Sequence, residues 1–329
     1  MTIIKNIFWN NEQARLRAGI RILIQLTVFF ILMKGLAAIL GVPNEITSNM
    51  SLWIYLAFAG VRLFRVLISV WLSGRFLDHR PFSDFGLRLN KKWWQDFGFG
   101  LGLGILLIGS VFLIELAAGW VTISDTLHTA NSEGSFILKL IVFLLLFVCV
   151  GFSEELNSRG YHLTNIAEGL NFKAIDPKYS IVIAVFLSSI LFGIFHLGSP
   201  GANLISIFII FLMAILLSIA YVLTGRLALP IGVHIAWNFF QGNVFGFPVS
   251  GTSFAAETVT FFSIQQSGPE LWTGGAFGPE GGLLGLLVII AGIFLMVGWI
   301  RFRDGSIKIY TPLALPPSQR MKIEKEVEA

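Results

Sequence analysis

Three short polar clusters interrupt the most apolar part of the sequence. Their side chains that could take part in chemistry are Glu154, Glu155, Arg159, His196, His234 and Asn238. Each cluster lies in or beside a segment of membrane-spanning length. Because an ionisable group inside a bilayer costs on the order of 2.5–3.5 kcal/mol on insertion scales, such groups indicate function by default.

The first cluster begins with two neighbouring glutamates. On a helix, Glu154 and Glu155 point about 100° apart, so they need not share a role. Arg159 lies four residues after Glu155 and can form an ion pair with it. That pair would leave Glu154 to face a cavity. The alternative interpretation is a solvated helix end at the membrane surface.

The other two clusters contain histidines. His234 and Asn238 are four residues apart and share one helix face, and two polar side chains on one face of a span rarely point at lipid. His196 follows a long apolar stretch, with Phe192 one turn before it. A lone histidine of this kind is either functional or a packing residue.

Together these residue types suit acyl hydrolysis in a partly dry site. A carboxylate can act as general base on water, and a histidine can share that water. A carboxamide and a second imidazole can donate hydrogen bonds to an oxyanion, at about 2.7–4 kcal/mol per donor where measured. Two histidines and a glutamate could instead ligate zinc, although the sequence has no His-Glu-x-x-His motif.

The composition is that of a polytopic membrane protein. Hydrophobic residues make up 55% of the chain and charged residues 13%, and the mean hydropathy is +0.78. The single cysteine, Cys149, cannot form an internal disulfide. A net charge of +4, taken alone, would suggest a nucleic-acid partner. The basic residues are instead confined to alternate loops, so we expect a lipid bilayer and no nucleic acid as partner.

Eight segments have the length and apolarity of a transmembrane helix. They are residues 20–42, 52–73, 97–119, 136–158, 180–197, 203–223, 228–247 and 281–300. The positive-inside rule places both termini in the cytoplasm. The sequence therefore predicts an all-α, polytopic transmembrane helical bundle of about eight spans in the cell membrane.

The chain divides into three predicted regions. Residues 1–134 hold spans 1–3 and a cytoplasmic loop, and residues 135–247 form a core of spans 4–7 that carries the polar clusters. Residues 248–329 hold an outer loop, span 8 and a charged, mobile cytoplasmic tail. The loop 248–280 is long for a connection and either caps the bundle or packs loosely.

The three clusters together resemble the signature of a known family. Glu-Glu-x-x-x-Arg at 154–159, Phe-x-x-x-His at 192–196 and His-x-x-x-Asn at 234–238 are similar, in order and spacing, to the motifs of the CPBP family. These are type II CAAX-prenyl-endopeptidase-like intramembrane proteases, also called the Abi family. The resemblance covers about residues 136–245, and segment 78–88 also resembles the cytoplasmic stretch that precedes this core.

The resemblance implies a role for each residue. Glu154 would be the water-activating base, helped by His196, and His234 and Asn238 would form the oxyanion pocket. Glu155 and Arg159 would be supporting residues. The chain departs from the family just before Arg159, where Asn157 and Ser158 replace a bulky residue; this bears on substrate shape.

The resemblance also implies a substrate, a membrane-anchored or lipidated protein or peptide, which includes the prenylated CAAX type. We expect no cofactor. The alternative is a zinc ion on Glu154, His196 and His234. Two other functions stay open. One is a non-catalytic scaffold or bacteriocin-immunity-type protein of the same fold. The other is a transporter, although the sequence shows no inverted repeat.

Two expectations concern geometry. Straight spans would place Glu154 at the cytoplasmic end of span 4 and His196 at the outer end of span 5, well over 10 Å apart in depth. A catalytic site therefore requires different boundaries: span 4 shifted so that Glu154 lies nearer mid-membrane, or span 5 beginning later with residues 198–202 dipping inward. We expect the first or a mixture of the two. In span 2, Arg62 and Arg65 share one face. We expect them to pair with an acid such as Glu115, or to bind a lipid headgroup or a substrate carboxylate.

Overall fold

The computed structural model describes residues 7–43, 46–48, 50–130 and 133–320. These residues form a helical bundle with two short antiparallel ribbons. The helices are α1 (Ala18–Leu40), α2 (Leu52–Ser73), α3 (Lys91–Ala117), α4 (Phe136–Glu155), α5 (Thr164–Gly169), α6 (Pro177–Phe195), α7 (Leu204–Thr224), α8 (Ala228–Phe239), α9 (Phe254–Thr258), α10 (Glu270–Thr273) and α11 (Leu283–Asp304). The strands are β1 (Trp9–Asn10), β2 (Arg15–Leu16), β3 (Val121–Thr129) and β4 (Val259–Gln266).

Seven helices of the described chain are long and apolar enough to cross a membrane. They are Ala18–Leu40, Leu52–Asp78, Lys91–Ala117, Phe136–Gly169, Pro177–Phe195, Leu204–Thr224 and Leu283–Asp304. Apolar runs drive their formation, and local caps fix where some begin. Asn203, for example, forms a capping box with Ser206 at the start of α7. The predicted all-α, multi-pass bundle is confirmed.

The predicted seventh span, 228–247, is not a membrane-spanning helix in the structure, where the helix is too short to cross a membrane. Its helix α8 has 12 residues and continues as a π-helical turn, Phe240–Val244. Polar side chains in that turn bind the following segment, since Asn243 Nδ2 donates to the carbonyls of Ala255 (3.1 Å) and Val259 (2.8 Å). The helix therefore ends inside the bundle, against other protein groups.

The fourth span runs much further than the sequence predicts. After α4 the chain stays helical through a π-helical segment, Leu156–Leu163, and through α5 to Gly169, giving 34 residues in all. The polar run after Glu155 indicates an exit from the membrane, but its side chains are buried and bonded. Glu154 consequently lies in the middle of a long helix rather than at its end.

Helices α3 and α8 touch backbone to backbone. A Cβ added at Gly100 would lie 2.6 Å from the carbonyl oxygen of Leu229, and one at Gly232 would lie 2.5 Å from that of Phe97. Gly104 faces the carbonyl of Val233 at the same 2.6 Å. Only glycine permits this approach, as in other close helix pairs of membrane proteins.

Two segments predicted as loops pair as a ribbon. Strands β3 and β4 are antiparallel, with Val121 opposite Gln266 and Thr129 opposite Val259. Gln266 Nε2 also donates to Glu115 Oε2 at 2.8 Å. The segment 248–280 is thus ordered against the bundle. The prediction that Arg62 or Arg65 pairs with an acid is confirmed for Arg62, which contacts Glu154, whereas Glu115, the acid named as an example, is bound from the ribbon.

A buried ionic network, here called the Glu168 cluster, closes the far end of the long helix. Arg15 and Arg21 reach Glu168 Oε1 at 2.5 and 2.7 Å, Arg80 contacts Glu168 Oε2, and Arg21 also contacts Asp78. These five side chains come from the N-terminal segment, the 74–88 connection and α5, which the network therefore holds together.

The C-terminal segment packs on the same end as far as residue 320. Arg320 is 2% exposed and its Nη1 donates to the carbonyl of Asp84 at 2.9 Å. The prediction of a mobile tail from residue 301 is therefore wrong for residues 301–320. Residues 321–329 of that tail lie outside the described residues.

Candidate active site

A cavity of about 710 Å³ lies among the helices, and all four residues with predicted chemical roles line it. Glu154 reaches it from α4, His196 from the end of α6, and His234 and Asn238 from α8. A cavity of this size matches a small-molecule or side-chain binding pocket. The structure thus brings together residues up to 84 positions apart in the sequence.

The depth problem posed by straight spans does not arise. The long helix Phe136–Gly169 carries Glu154 near its centre, and His196 forms the C-terminal cap of α6. Both side chains face the same cavity. The fourth span runs on past residue 158 and so places Glu154 near its centre, and residues 198–200 also line the cavity, in line with the expected mixture of the two solutions.

Glu154 is held from two sides. Arg62 of α2 donates Nη2 to Glu154 Oε1, and His234 Nε2 lies 3.7 Å from Glu154 Oε2. Its side chain is 17% exposed. A gap of 3.7 Å between polar atoms is one that a water molecule can bridge. The carboxylate is therefore oriented but keeps an oxygen toward the cavity.

Glu155 and Arg159 fix the orientation of His234. His234 Nδ1 lies 2.8 Å from Glu155 Oε1, which also accepts from Arg159 Nη1 at 3.0 Å. Arg159 Nη2 donates to the carbonyl of Ala214 at 3.1 Å. A carboxylate accepts only, so Nδ1 of His234 carries a proton and Nε2 points at Glu154. The predicted Glu155–Arg159 ion pair is confirmed.

His196 is oriented by its own helix. Its Nδ1 lies 2.9 Å from the carbonyl oxygen of Phe192, and the two rings are 4.7 Å apart between centroids. Because a carbonyl accepts, Nδ1 carries the proton and the neutral ring presents Nε2 as an acceptor. Phe192 in turn packs under the guanidinium of Arg159, with 4.5 Å from Cζ to the ring centroid. Phe192 thus lies between the imidazole of His196 and the guanidinium of Arg159.

Asn238 completes the set from one turn beyond His234. Its side chain is half-buried, and within the described chain its carboxamide forms no hydrogen bond. It is therefore available to a ligand in the cavity.

The three candidate zinc ligands do not form a coordination set. In the part of the chain that the structure describes, no group of three or more His, Cys, Asp and Glu side chains is arranged to hold a metal ion. Glu154 is engaged by Arg62 and His196 by a backbone carbonyl.

Sequence reasoning missed Glu280 of the cavity wall, and it named Arg62 and Arg65 without predicting the contact of Arg62 with Glu154. Arg62 binds Glu154, Arg65 lines the same wall one turn further on, and Glu280 enters from the segment after the ribbon. The two arginines carried a signal, since they are charges in the middle of a span. Glu280 carried none, because it lies in a Gly- and Pro-rich stretch.

Glu280 joins the outer segment to the bundle. Gln241 Nε2 donates to Glu280 Oε2, and Ser250 donates to Oε1 through its backbone N–H (2.5 Å) and its hydroxyl (3.1 Å). Burial of this carboxyl raises its pKa, and these hydrogen bonds only partly offset the effect. It closes one end of the cavity.

Comparison with known proteins supports the family predicted from the motifs. Residues 136–240 match the family model of the type II CAAX prenyl endopeptidase Rce1-like proteins. The matched range contains all six residues of the three clusters. No curated protein and no solved structure matches the chain. With its seven apolar helices the chain is a multi-pass membrane protein, and over residues 136–240 it is similar to type II CAAX prenyl endopeptidases.

Proposed function

We propose that the protein is an intramembrane endopeptidase in which Glu154 activates water to hydrolyse a peptide bond. The observation that supports this best is the convergence of a carboxylate, two oriented imidazoles and an unbonded carboxamide in one cavity. The site is surrounded by helices of spanning length, so it can exclude bulk water and strengthen each polar contact.

Glu154 is the general base in this proposal. Arg62 keeps the carboxylate ionised and oriented, and the 3.7 Å gap to His234 holds the attacking water. His196 Nε2 accepts a hydrogen bond from the same water. Glu154 takes one proton while the water oxygen attacks the carbonyl carbon, which forms a tetrahedral oxyanion.

His234 and Asn238 stabilise that oxyanion. Asn238 donates through Nδ2. His234 donates through Nε2 while Nδ1 donates to Glu155, so its ring enters the reaction with both protons and keeps them throughout. The carboxylates of Glu154 and Glu155 flank the ring and favour this charged form. Donors of this kind contribute about 2.7–4 kcal/mol each to the transition state.

The tetrahedral intermediate then breaks its carbon–nitrogen bond. The proton held by Glu154 passes to the departing nitrogen, which leaves as an amine, and the carbonyl side leaves as a carboxylic acid that ionises. Glu154 returns to its starting form. All bonds formed and broken are accounted for by one water molecule, so the proposal needs no cofactor.

The substrate in this proposal is a membrane-associated protein or peptide with an apolar anchor. The cavity wall between α1 and α6 is aromatic, with Phe29, Phe30 and Phe195, and its rings Phe30 and Phe195 are 6.5 Å apart. This wall suits a lipid-modified side chain, and the prenylated CAAX type is the class named by the matching family. We propose the cell membrane as the location, with both termini cytoplasmic.

The test is cleavage of a quenched-fluorescent farnesylated peptide by the purified full-length protein. Glu154→Gln should lower kcat by about 10²–10⁴-fold, the usual contribution of a general base. Glu257→Gln is the matched control, because Glu257 is exposed and lies away from the cavity. A chelator should leave the wild-type rate unchanged.

Three results would refute parts of this proposal. Equal rates for wild type and Glu154→Gln would remove Glu154 as the base. Loss of activity with chelator would make the histidines metal ligands. No cleavage of any lipidated peptide would favour the non-catalytic scaffold.

A further inference from the structure

One charge on the cavity wall, Arg65, forms no ion pair within the described chain, although it feels the charge of Glu154 at longer range. Arg65 lines the cavity from α2, and its Nε is buried with no hydrogen bond to a described residue. No ion pair is formed by its guanidinium within the described chain. Its Cζ lies 4.6 Å from the centroid of the Phe29 ring, so one face is covered by an aromatic surface. The N–H groups at the edge of the Arg65 guanidinium remain available to a ligand.

The acids of the cavity cannot supply that partner. Two carboxylates line it, Glu154 and Glu280. Glu154 is bound by Arg62 and faces His234, and Glu280 accepts from Gln241 and Ser250. An anionic group on a bound ligand would therefore meet Arg65 first.

The depth of Arg65 selects the kind of anion. The helix Leu52–Asp78 has 27 residues, and Arg65 lies 13 residues from either end. At about 1.5 Å per residue it is about 20 Å from each end of this helix, near the middle of the span. Phosphates of lipid headgroups lie at the surfaces, beyond the half-thickness of about 15 Å. The anion must therefore be carried into the bundle by a ligand that enters the cavity.

Resting on the proposed function, we propose that Arg65 binds a carboxylate of the peptide substrate and thereby determines specificity. A guanidinium stacked on an aromatic ring presents two parallel N–H groups that match a carboxylate. Arg62, one turn earlier, contacts Glu154. Residues three apart on a helix have Cβ atoms about 5–6 Å apart. The bound carboxylate thus lies close to the bond to be hydrolysed. Its source is either the free C-terminus or an acidic side chain.

The experiment compares three farnesylated peptides with the full-length protein in nanodiscs of neutral lipid, and repeats the comparison in nanodiscs that contain anionic lipid. One has a free C-terminal carboxylate, the second is its C-terminal amide, and the third is that amide with one added glutamate. Affinity is measured with analogues methylated at their peptide nitrogens, which resist hydrolysis. Rates are measured with the unmethylated peptides.

Wild-type protein should bind one of the two carboxylate peptides about 10- to 100-fold more tightly than the plain amide, the range for a hydrogen bond to a charged group. The carboxylate peptide that is preferred identifies the source. Arg65→Gln should abolish the preference, chiefly through KM, and Arg65→Lys should keep part of it. Arg75→Gln, an exposed arginine of the same helix, should leave it intact.

Equal affinity of the wild type for all three peptides would overturn the proposal, and so would a preference that survives in Arg65→Gln. An effect of Arg65→Gln seen only with anionic lipid in the nanodisc would overturn it in favour of a lipid phosphate. Hydrolysis without a carboxylate preference would leave the proposed function standing. A preference without hydrolysis would support Arg65 and refute the protease.

Discussion

The long helix Phe136–Gly169 carries two ionic clusters built from the same chemistry, and they are arranged in opposite ways. The cavity cluster consists of Arg62, Glu154, Glu155, Arg159 and His234, and the Glu168 cluster closes the end of the helix. Glu168 is 1% exposed and takes three guanidinium groups, whereas Glu154 is 17% exposed and takes one.

The difference separates a structural use of charge from a chemical one. In the Glu168 cluster both carboxylate oxygens of Glu168 are bonded to guanidinium groups of the fold, so this carboxylate joins segments and does not line the cavity that holds Glu154. In the cavity cluster Glu155 and Arg159 are buried, and they hold His234 and leave Glu154 facing open space. Buried charged groups usually have partners for their hydrogen-bonding atoms. A charged group that keeps free hydrogen-bonding capacity beside a cavity therefore indicates function.

The largest expected effect, on stability, comes from breaking the Glu168 cluster. Glu168→Gln removes the charge that compensates three buried arginines, and breaking such a network costs about 3–5 kcal/mol of stability. Thermal unfolding in detergent should show the loss, while kcat per folded molecule stays near that of the wild type. Glu12→Gln, an exposed glutamate in the N-terminal segment, is the control. A Glu168→Gln protein that melts like this control would contradict the structural role.

Asn238, beside the cavity cluster, should show the opposite response: a change there should lower the rate and leave the stability unchanged. Asn238→Ala removes an oxyanion donor that bonds to nothing else in the described chain, so the rate should fall about 10²–10³-fold with little change in melting temperature. Asn238→Asp, nearly the same shape without the N–H groups, should be as slow. Steady-state kinetics on the farnesylated peptide measure both. A variant that is destabilised but not slowed would place Asn238 with the structural residues.

A smaller effect tests the link between the arginine and the base. Arg62→Lys keeps the charge near Glu154 but loses the planar fork that orients it. We expect kcat to fall about tenfold, or about 1.4 kcal/mol in activation free energy. Arg75→Lys on the same helix should have no effect. Equal rates for the two variants would mean that Arg62 balances charge without positioning Glu154.

The smallest effect concerns a carboxyl that belongs to neither cluster. Glu280 forms no ion pair with a described residue, and burial of its carboxyl raises its pKa. The folded protein then holds this proton more tightly than the unfolded chain, so the stabilisation is present at low pH. This stabilisation is lost as the pH rises from the ordinary glutamate pKa of about 4.3 in the unfolded chain through the higher pKa of Glu280 in the folded protein. The melting temperature of the wild type should therefore fall with pH relative to Glu280→Gln, and Glu257→Gln should follow the wild type. Parallel curves for wild type and Glu280→Gln would contradict the shift.

The sequence predicted the elements whose signal is local. Long apolar runs marked seven helices, and spacings of four residues placed Glu155 beside Arg159 and His234 beside Asn238 on one face. These inferences need only the helical period and the cost of charge in a bilayer.

What the sequence did not reveal depends on distant partners. The polar run after Glu155 indicates a membrane exit, yet it stays helical because groups such as Gln25 bind it, with Gln25 Nε2 2.9 Å from Asn157 Oδ1. Arg62 meets Glu154 across 92 positions, and nothing in either local sequence specifies that pairing. The ribbon of β3 and β4 joins segments that are each too short to be stable alone.

The glycine contact between α3 and α8 has a consequence for the accuracy of the site. Helix α8 carries both His234 and Asn238, and it lies against α3 with no side chain between the two backbones. Rotating or sliding α8 would drive main-chain atoms into each other, and main chain cannot yield by changing rotamer as a packed leucine can. The two donors are therefore held to the tolerance of a backbone contact. Any alanine at Gly100, Gly104 or Gly232 would act on them as a wedge, displacing both together without altering either one.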